Sequence, residues 1–536
     1  MSDVAVRDRT DPAEPAPHEP DRSSPPAPGG LWRAFPIVVG LLFVAGIVVR
    51  FLAGQQLWLD EAQSVLIAGL PFTGDFTLWD GLREDGSPPL YYLLLHFWIE
   101  AFGDGNRTVR GLSALLNLLC VVPLWFLAKR VIGTRAARVA LLVFATSPFA
   151  VYFATETRMY SLLLLLALLG GLALEKTLRA PTVGSVVGLG LAAAGIALTH
   201  YWSLYLLFTL GVLLLVGSVR GAFPSAKRHR RLALLGLVIG GIVFLPWFPT
   251  FRDQAAHTGT PWGEPASFAA VVHAFGQWSG GPSTLGRLLL LVSVGLLAFA
   301  VFGSPAGRHQ VLLDLRGHEP ARLLLGLSLG TLVIAVGVGQ LVGNAWADRY
   351  TVTAFAPYLL CIALGTERIV DAKLLRATVV LLGVLGIGAG VPDVLTQRTQ
   401  SNEVASLLRA SAKPGDVLLV CPDQLGPALS REQLPAGLAT HTIPTYAPVG
   451  RVDWRDYEER NDAADGGALA NRALAEAGRT GTVWLAFNGE YRTYEDLCPA
   501  VREQLNQTRK VVQVLQAKDP EDSYERLELY QYAPRR

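Results

Sequence analysis

The sequence predicts a polytopic α-helical membrane protein that carries an α/β domain at its C-terminus. Hydrophobic residues make up 51% of the 536 residues and charged residues only 17%, and the mean hydropathy is +0.35. These values are too apolar for a soluble protein of this length. Apolar segments of membrane length recur up to about residue 393. Beyond that point the apolar runs are short and alternate with helix-like stretches, which is typical of an α/β domain.

The chain begins with a polar segment. Residues 1–30 are rich in Pro, Asp, Glu and Ser, so they cannot bury a core and are expected to form a disordered cytoplasmic tail. The first apolar run, Ile37 to Ala53, lies too far along the chain to follow a short cleavable signal peptide. We therefore expect it to be an uncleaved first span.

Further apolar segments predict the rest of a helical bundle, with about eleven spans in all at roughly 20 residues per crossing. They lie near residues 111–128, 137–153, 160–174, 182–199, 202–219, 232–249, 287–303, 322–343, 350–366 and 377–392. One further segment, Pro88 to Phe102, is too short at about 1.5 Å per residue for a membrane core about 30 Å thick. We assign it to an interfacial helix within an outer loop, 54–110, with Tyr91, Tyr92 and Trp98 at headgroup level.

The distribution of Lys and Arg predicts the orientation in the plasma membrane. With the interfacial segment left out of the count and the N-terminus in the cytoplasm, basic residues are concentrated in the inner loops, as the positive-inside rule requires. An odd number of spans then places residues 394–536 outside the cytoplasm, after a transmembrane domain at 31–393. The overall charge of +2 gives no indication of a nucleic-acid partner.

The C-terminal segment has its own pattern. Its predicted strands are the runs DVLLVC, TVWLAF, KVVQVL and LELYQY, and its predicted helices are ALANRALAEAG and TYEDLCPAVREQL. It has no Gly-rich phosphate fingerprint, so no nucleotide is assigned to it. Cys421 and Cys498 both lie in this domain and could form a disulfide, but their spacing does not show proximity. Cys120 and Cys361 fall in predicted spans, where a small buried role is expected.

Unusual polar residues lie at the predicted outer ends of several spans. Asp60 and Glu61 follow the first span in WLDEAQS, at a boundary where charge is costly. The others are Tyr91 and Tyr92 in SPPLYY, Glu156, Arg158 and Tyr160 in ATETRMY, His200 and Tyr201 in LTHYWS, and Asp348, Arg349 and Tyr350 in NAWADRY. Taken singly, each has an ordinary explanation as a cap, a snorkelling arginine or part of an aromatic belt. Together they predict a reaction centre with a base and a phosphate clamp.

Six motifs carry a resemblance to a known family. WLDEAQS, DGSPPLYYLLLHFW, VRGLSALLNLL, SPFAVYFATETRMYSLL, LTHYWSLYLL and DRYTVTAFAPYLL occur in this order. The ordered set resembles the GT-C superfamily of polyprenyl-phosphate-sugar-dependent glycosyltransferases. Within it the chain is most similar to the bacterial family 39 type, which is related to protein mannosyltransferases and to the aminoarabinose transferases of lipid A. The resemblance covers roughly residues 35–365.

The resemblance implies a role for each motif. It gives Asp60 the catalytic position with Glu61 beside it, and it places Arg158, Arg349 and Tyr350 at the phosphate of the lipid donor. Some relatives bind a divalent metal ion through Glu and His, which makes Glu156 and His200 candidate ligands. The substrate pocket implied in this way contains Tyr91, Tyr92, Glu156, Tyr160, His200, Tyr201 and Asp348.

The expected reaction moves a hexose or pentose from a polyprenyl-phosphate donor to a hydroxyl of a glycan, glycolipid or protein acceptor on the outer face. Asp60 would act as general base in a single displacement, which inverts the anomeric centre. A double displacement would need a second carboxylate, Glu61 or Glu156, as nucleophile. The alternative function is a secondary transporter or flippase of a lipid-linked or anionic substrate, whose charged groups are expected near the midplane and in internal repeats.

Overall fold

The computed structural model describes residues 33–217, 227–259, 264–308, 310–342, 345–489, 491, 496–520 and 522–535. The predicted disordered tail, 1–30, lies outside the described residues. The helices before the C-terminal sheet are α1 Phe35–Val49, α2 Leu59–Ala68, α3 Leu78–Asp85, α4 Leu90–Phe102, α5 Asn106–Leu119, α6 Val121–Ile132, α7 Thr134–Thr146, α8 Pro148–Ala154, α9 Tyr160–Arg179, α10 Val183–Ala197, α11 Leu204–Val216, α12 Lys227–Phe244, α13 Phe248–His257, α14 Phe268–Trp278, α15 Thr284–Phe302, α16 Glu319–Val342, α17 Val352–Thr366 and α18 Ala372–Leu395. Four short strands accompany them, β1 Glu264–Pro265, β2 Gly303–Gly307, β3 Gln310–Leu313 and β4 Ala345–Trp346.

The predicted membrane bundle is confirmed. In the described part of the chain, six helices are long and apolar enough to cross a membrane, or seven if the bent pair Thr134–Thr146 and Pro148–Ala154 is one span. Shorter apolar helices lie at Phe35–Val49, Leu90–Phe102, Val183–Ala197 and Tyr201–Val216. The protein is therefore a multi-pass membrane protein, and the figure of about eleven spans stays a prediction.

The predicted interfacial segment forms helix α4, but its tyrosines do not face lipid headgroups. Tyr91 and Tyr92 are fully buried, because α4 packs between α2 and α5. The Tyr91 hydroxyl lies 3.3 Å from that of Ser113 in α5, and His96 Nδ1 lies 2.7 Å from the Ala68 carbonyl oxygen at the end of α2. One face of this short helix is thus used for packing in the protein, whereas Leu94, Phe97 and Phe102 on the helix are exposed.

A proline breaks one of the predicted spans. Pro148 begins α8, which is bent by 55° from α7, because proline has no N–H to continue the helical hydrogen bonds. The carbonyl groups freed at the break are bonded by the buried Arg50, which donates to the oxygens of Ala145 at 2.6 Å and Phe144 at 2.8 Å. The break is therefore satisfied inside the protein, as membrane depth requires.

The C-terminal α/β fold is confirmed in its predicted elements. It contains β5 Gln397–Thr399, α19 Ser401–Ser411, β6 Val417–Cys421, α20 Gly426–Ser430, β7 Ala439–Thr442, α21 Tyr457–Asp462, α22 Gly466–Ala477, β8 Val483–Phe487, α23 Leu497–Thr508, β9 Lys510–Leu515, β10 Ser523–Glu525 and β11 Glu528–Ala533. A five-stranded sheet has the order β7, β6, β8, β11, β9. Its first three strands are parallel, and β11 is antiparallel to both of its neighbours. Strands β5 and β10 form a separate parallel pair.

The structure resolves the question that cysteine spacing left open. Cys421 at the end of β6 is disulfide-bonded to Cys498 in α23. Cys120 and Cys361 are free and buried, as predicted for cysteines within apolar spans. The disulfide fixes a helix to the central part of the sheet, and this sheet contributes to the site described next.

Candidate functional site

A cavity of about 820 Å³ lies between one end of the helical bundle and the C-terminal part of the chain. The bundle side of its lining includes Trp58, Asp60, Gln63, Asp85, Arg158, His200, Tyr201, Gln254, Arg349 and Tyr350. The C-terminal part of the chain adds Gln424, Trp454, Asn488, Tyr491, Tyr524 and Arg526. Residues separated by hundreds of positions therefore share one concave surface, in which apolar walls carry a few converging polar groups. This is the usual form of a small-molecule site.

Six of the predicted site residues line this cavity and six do not. Those in the lining are Asp60, Arg158, His200, Tyr201, Arg349 and Tyr350. Those outside the lining are Glu61, Tyr91, Tyr92, Glu156, Tyr160 and Asp348. Sequence position at a span end fixes the depth of a residue, whereas the direction of its side chain depends on tertiary packing.

The centre of the cavity is a carboxylate between two guanidinium groups. Asp60 Oδ2 lies 3.9 Å from Arg158 Nε and 3.6 Å from Arg349 Nη2. All three side chains are mostly buried, with exposed fractions of 14%, 11% and 19% in that order. In the described part of the chain, Asp60 Oδ2 is a buried oxygen with no hydrogen-bond partner. The arrangement holds negative and positive charge apart at the distance of a loose ion pair.

Arg158 is fixed by contacts on its other side. Its Nη1 donates to the Ser64 hydroxyl at 2.9 Å, to the Asp60 carbonyl oxygen at 3.3 Å and to the Tyr92 hydroxyl at 3.4 Å. Tyr92 in turn donates to Asp85 Oδ2 at 2.7 Å. Tyr92 is thus a support for Arg158, which explains why it is buried and lies outside the cavity lining.

Glu61 is turned away from the cavity, so the expectation that it is a catalytic neighbour of Asp60 needs correction. Its oxygens accept hydrogen bonds from Arg110 at 2.8 and 2.6 Å and from the Thr157 backbone N–H at 2.9 Å, and Arg398 Nη1 lies 3.2 Å away. Burial alone would raise the pKa of Glu61, but Arg110 and Arg398 lower it to about 2. Adjacent helical residues point in different directions, and this separates the two acids.

Glu156 and Tyr160 also lie behind the cavity wall. Glu156 Oε1 accepts a hydrogen bond from Trp58 Nε1 at 3.2 Å, and burial raises the pKa of Glu156 to about 7 although Arg398 opposes this. The Tyr160 ring packs against Phe153 at 4.6 Å and is fully buried. Neither side chain faces the space in which a substrate would bind.

The expectation that Asp348 belongs to the substrate pocket also needs correction, because its partners lie away from the arginines. Its Oδ2 is 3.0 Å from His273 Nδ1, and its Oδ1 accepts a hydrogen bond from Trp346 Nε1 at 3.0 Å. The next residues along the chain, Arg349 and Tyr350, reach the cavity instead. In the 3₁₀ helix Asp348–Thr351 successive side chains spread around the axis, so only part of the NAWADRY motif faces the site.

His200 is half-buried beside the arginines and is a neutral imidazole. Burial, Arg158 and Arg349 together lower its pKa to about 3. Its Nδ1 accepts a hydrogen bond from the Trp202 backbone N–H at 3.2 Å, so the ring proton is on Nε2 and is available to a ligand in the cavity. Its ring packs at 4.7 Å from that of Tyr350.

The residues do not fit the divalent metal that the resemblance implied. A histidine ligand normally binds the metal through one nitrogen and donates the other N–H, whereas His200 accepts a hydrogen bond at Nδ1. The neighbouring guanidinium groups of Arg158 and Arg349 also oppose a cation there. Among the described residues, no group of three or more His, Cys, Asp or Glu side chains could hold a metal ion.

Tyr201 is held by groups that sequence reasoning did not select. Its hydroxyl donates to Gln254 Oε1 and accepts a hydrogen bond from Trp247 Nε1 at 2.8 Å. The amide of Gln254 donates to the Leu82 carbonyl oxygen at 2.7 Å. Gln254 is itself nearly fully buried. The only local signal in the sequence that could have identified it is an amide side chain next to an aromatic segment.

Comparisons with known proteins bear on the family and the fold of the chain. The sequence model of the dolichyl-phosphate-mannose-protein mannosyltransferase family matches residues 86–249. No curated protein sequence matches the chain.

Solved structures with the same fold cover nearly the whole chain. ArnT from Cupriavidus metallidurans in the apo state has a TM-score of 0.58 at 15% identity, covering 93% of this chain and 98% of ArnT. The structure of ArnT bound to undecaprenyl phosphate has a TM-score of 0.53 at 15% identity, covering 94% and 98%. The Archaeoglobus fulgidus oligosaccharyltransferase in complex with Zn and sulfate has a TM-score of 0.53 at 12% identity, covering 89% and 71%. The chain thus has the fold of ArnT and of the Archaeoglobus oligosaccharyltransferase, and its residues 86–249 resemble the dolichyl-phosphate-mannose-protein mannosyltransferase family.

Proposed function

We propose that the protein is a glycosyltransferase that moves a hexose or pentose from a polyprenyl-phosphate donor to an acceptor hydroxyl. The observation that carries this proposal is the position of Asp60 between Arg158 and Arg349 in the cavity wall. This arrangement offers a base and a phosphate clamp within one pocket. The ArnT structure of the same fold that is bound to undecaprenyl phosphate supports a lipid phosphate as the ligand of the clamp.

The clamp suits the leaving group of such a reaction. Transfer of the sugar leaves a polyprenyl phosphate, and guanidinium groups stabilise the negative charge that develops on its oxygens. Tyr350 lies beside Arg349, whose guanidinium carbon is 5.5 Å from the ring centroid. When the donor phosphate binds, the two arginines share their positive charge with it. Their hold on Asp60 is then weaker, and the carboxylate becomes a better base.

Asp60 is the proposed general base. Its Oδ2 accepts no hydrogen bond from the described residues and can accept the proton of the acceptor hydroxyl as that oxygen attacks the anomeric carbon. Glu61 is bound to Arg110 and Arg398, and Glu156 is bonded to Trp58 behind the wall. Neither carboxylate is therefore placed to act as the nucleophile of a double displacement. Asp85, the other carboxylate of the lining, accepts hydrogen bonds from Gln63, Ser87 and Tyr92. A single, inverting displacement is therefore the proposed course, with His200 Nε2–H as a hydrogen-bond donor to a substrate oxygen.

We further propose the topology that this reaction needs. The N-terminus is cytoplasmic, residues 31–393 form the transmembrane transferase domain, and residues 394–536 are extracytoplasmic, as the positive-inside pattern predicts. The cavity then opens on the outer face, where lipid-linked sugars and glycan, glycolipid or protein acceptors meet.

Purified protein in liposomes containing a labelled polyprenyl-phosphate hexose or pentose tests the function. A transferase releases polyprenyl phosphate and labels an acceptor when an envelope glycan or glycolipid fraction is supplied. A transporter or flippase moves the labelled lipid between leaflets with its sugar still attached. Movement of intact donor without any release of polyprenyl phosphate would favour the alternative function.

The phosphate clamp gives a first prediction about binding. Arg158→Ala and Arg349→Ala should each weaken polyprenyl-phosphate binding about ten- to a hundredfold, because a charge-assisted hydrogen bond contributes about 1.5–3 kcal/mol. Lysine at either position should lose less, since it keeps the charge but not the planar fork. Direct binding of polyprenyl phosphate measures the effect. The control is Arg83→Ala, which removes a half-exposed outer arginine paired with Asp80. If all three alanine variants bind polyprenyl phosphate with equal affinity, Arg158 and Arg349 are not a phosphate clamp and are better explained as arginines that snorkel to lipid headgroups.

The metal question gives a second prediction. Since His200 accepts a hydrogen bond at Nδ1 and lies beside two arginines, we expect sugar transfer to persist after exhaustive treatment with a chelator. The measurement is the initial rate before and after chelation, with Zn²⁺ or Mn²⁺ added back. The opposite result would be a loss of transfer on chelation that an added metal ion restores in the wild type but not in His200→Ala. That result would support Glu156 and His200 as metal ligands.

A further inference from the structure

The helix that carries Asp60 begins with a bond to the opposite end of the chain. The first N–H groups of a helix have no partner within it, and the residue before α2, Trp58, provides no side-chain cap. Instead the Leu59 backbone N–H donates to Glu525 Oε2 at 2.8 Å. The other oxygen of Glu525 accepts a hydrogen bond from the Thr399 hydroxyl at 2.6 Å. Glu525 thus joins the start of α2 to the strand pair β5 and β10.

The same strand pair also holds the residue on the other side of Asp60. Strand β10 is parallel to β5, with Glu525 beside Thr399 in the register. Arg398, in the middle of β5, forms the ion pair with Glu61 and donates to the Thr155 hydroxyl at 2.7 Å. Residues 59 and 61 are therefore both bonded to the strand pair β5 and β10. Asp60, which lies between them, faces the two cavity arginines.

Alternation along β10 connects this support to the cavity itself. Ser523 and Glu525 are buried, whereas Tyr524 is 57% exposed and lies in the cavity lining. Side chains on a strand point alternately to opposite sides, so one short strand supports the helix and lines the site. The Tyr524 ring packs edge-on against that of Trp58 at 4.7 Å between centroids, which fixes the residue that precedes the helix.

A third contact lies one turn further along the helix. The Gln63 amide donates to the Val452 carbonyl oxygen at 2.8 Å and accepts from the Val452 N–H at 3.0 Å. The C-terminal part of the chain thus holds α2 at Leu59, Glu61 and Gln63 by separate groups.

Resting on the proposed transferase function, we propose that β5 and β10 position the catalytic base and that Glu525 is the principal positioning residue. A base must lie within hydrogen-bond reach of the proton that it removes, and a displacement of about 1 Å can cost a hundredfold in rate. Burial raises the pKa of Glu525 to about 8. At neutral pH it is mainly the protonated carboxyl, and it adds no second negative charge beside Asp60.

Substitution of Glu525 tests the proposal. Glu525→Ala should lower kcat for sugar transfer about ten- to a hundredfold and leave polyprenyl-phosphate binding unchanged, because the arginine clamp does not include Glu525. Glu525→Gln keeps the neutral shape and an acceptor oxygen, and it should restore most of kcat. Glu528→Ala is the matched control. Glu528 lies in β11, the next strand along the chain, and is bonded to Tyr530 and Gln513, so this variant should have wild-type kcat.

A structural readout separates this inference from the proposed function. Hydrogen–deuterium exchange of the peptide covering Leu59–Ala68 should be faster in Glu525→Ala and unchanged in Glu528→Ala, even if no sugar transfer is found for the wild type. If Glu525→Ala does not fold, Thr399→Val should give the same change to a smaller extent. Unchanged exchange in a folded variant, or an equal fall in kcat in Glu525→Ala and Glu528→Ala, would overturn the proposal.

Discussion

Asp60→Asn is expected to lower the turnover of sugar transfer at least about a hundredfold, as is usual when a general base is lost. Asparagine has nearly the shape of aspartate, so the cavity should keep its form. Its amide cannot take the proton of the acceptor hydroxyl. The single-turnover rate with saturating donor and acceptor measures the chemical step, and polyprenyl-phosphate binding measured in parallel shows whether the site is intact.

The direction of the change in donor binding is part of this prediction. In the wild type, Arg158 and Arg349 both lie near Asp60, and in the proposed reaction they also bind the donor phosphate. Removing the carboxylate leaves both arginines to the phosphate, so donor affinity should be equal to or higher than that of the wild type. Asp75, an exposed carboxylate of the same outer loop, gives the control variant Asp75→Asn, which should transfer at the normal rate. Near-normal turnover of Asp60→Asn would refute its role as base.

The sequence was sufficient to predict those parts of the candidate site whose position depends on local sequence pattern. Asp60, Arg158 and Arg349 stand in motifs at the ends of apolar segments, and depth in a membrane follows from chain length. The four apolar runs after residue 394 became β6, β8, β9 and β11 for a similar reason, since a short β-rich run between helix-like stretches has few alternatives. The elements themselves could be predicted without knowledge of their neighbours.

The direction of side chains could not be predicted in this way. Glu61 and Asp60 are adjacent, yet one is bonded to Arg110 and the other faces the cavity. Tyr92 was expected at headgroups and supports Arg158 instead. These differences depend on which helix packs on which face, and a span-end motif contains no information about it.

Contacts with the C-terminal segment were even harder to predict from the sequence. Glu525 meets the backbone of Leu59, which is 466 positions earlier in the chain. Nothing near Glu525 in the sequence marks it as part of a site, because its neighbours follow an ordinary strand alternation. The same is true of Arg398, which lies next to the last predicted span and resembles any basic residue at a membrane boundary.

The buried ion cluster around Glu61 gives the second large expected effect. Glu61→Gln removes the negative charge between Arg110 and Arg398, whose side chains are 3% exposed. Breaking a buried ion pair from one side typically costs about 3–5 kcal/mol, because a charge is left uncompensated in a medium of low polarity. We expect the variant to have a markedly lower Tm in detergent and a lower yield of folded protein. Glu100→Gln, at a 61% exposed carboxylate of the same outer loop, should have the wild-type Tm.

The pH dependence of this effect has a defined sign. The pKa of Glu61 is lowered to about 2 in the folded protein, where Arg110 and Arg398 outweigh the opposing effect of burial, against an ordinary value near 4.5. A carboxyl with a lowered folded-state pKa stabilises the fold fully above its unfolded pKa, and this contribution is lost as the pH falls through the folded value. The difference in Tm between wild type and Glu61→Gln should therefore be constant near neutral pH and shrink between about pH 4.5 and pH 2. A difference in Tm that is the same at pH 7 and pH 3 would show that the loss comes from altered packing, because only an ionised Glu61 can compensate the two arginines.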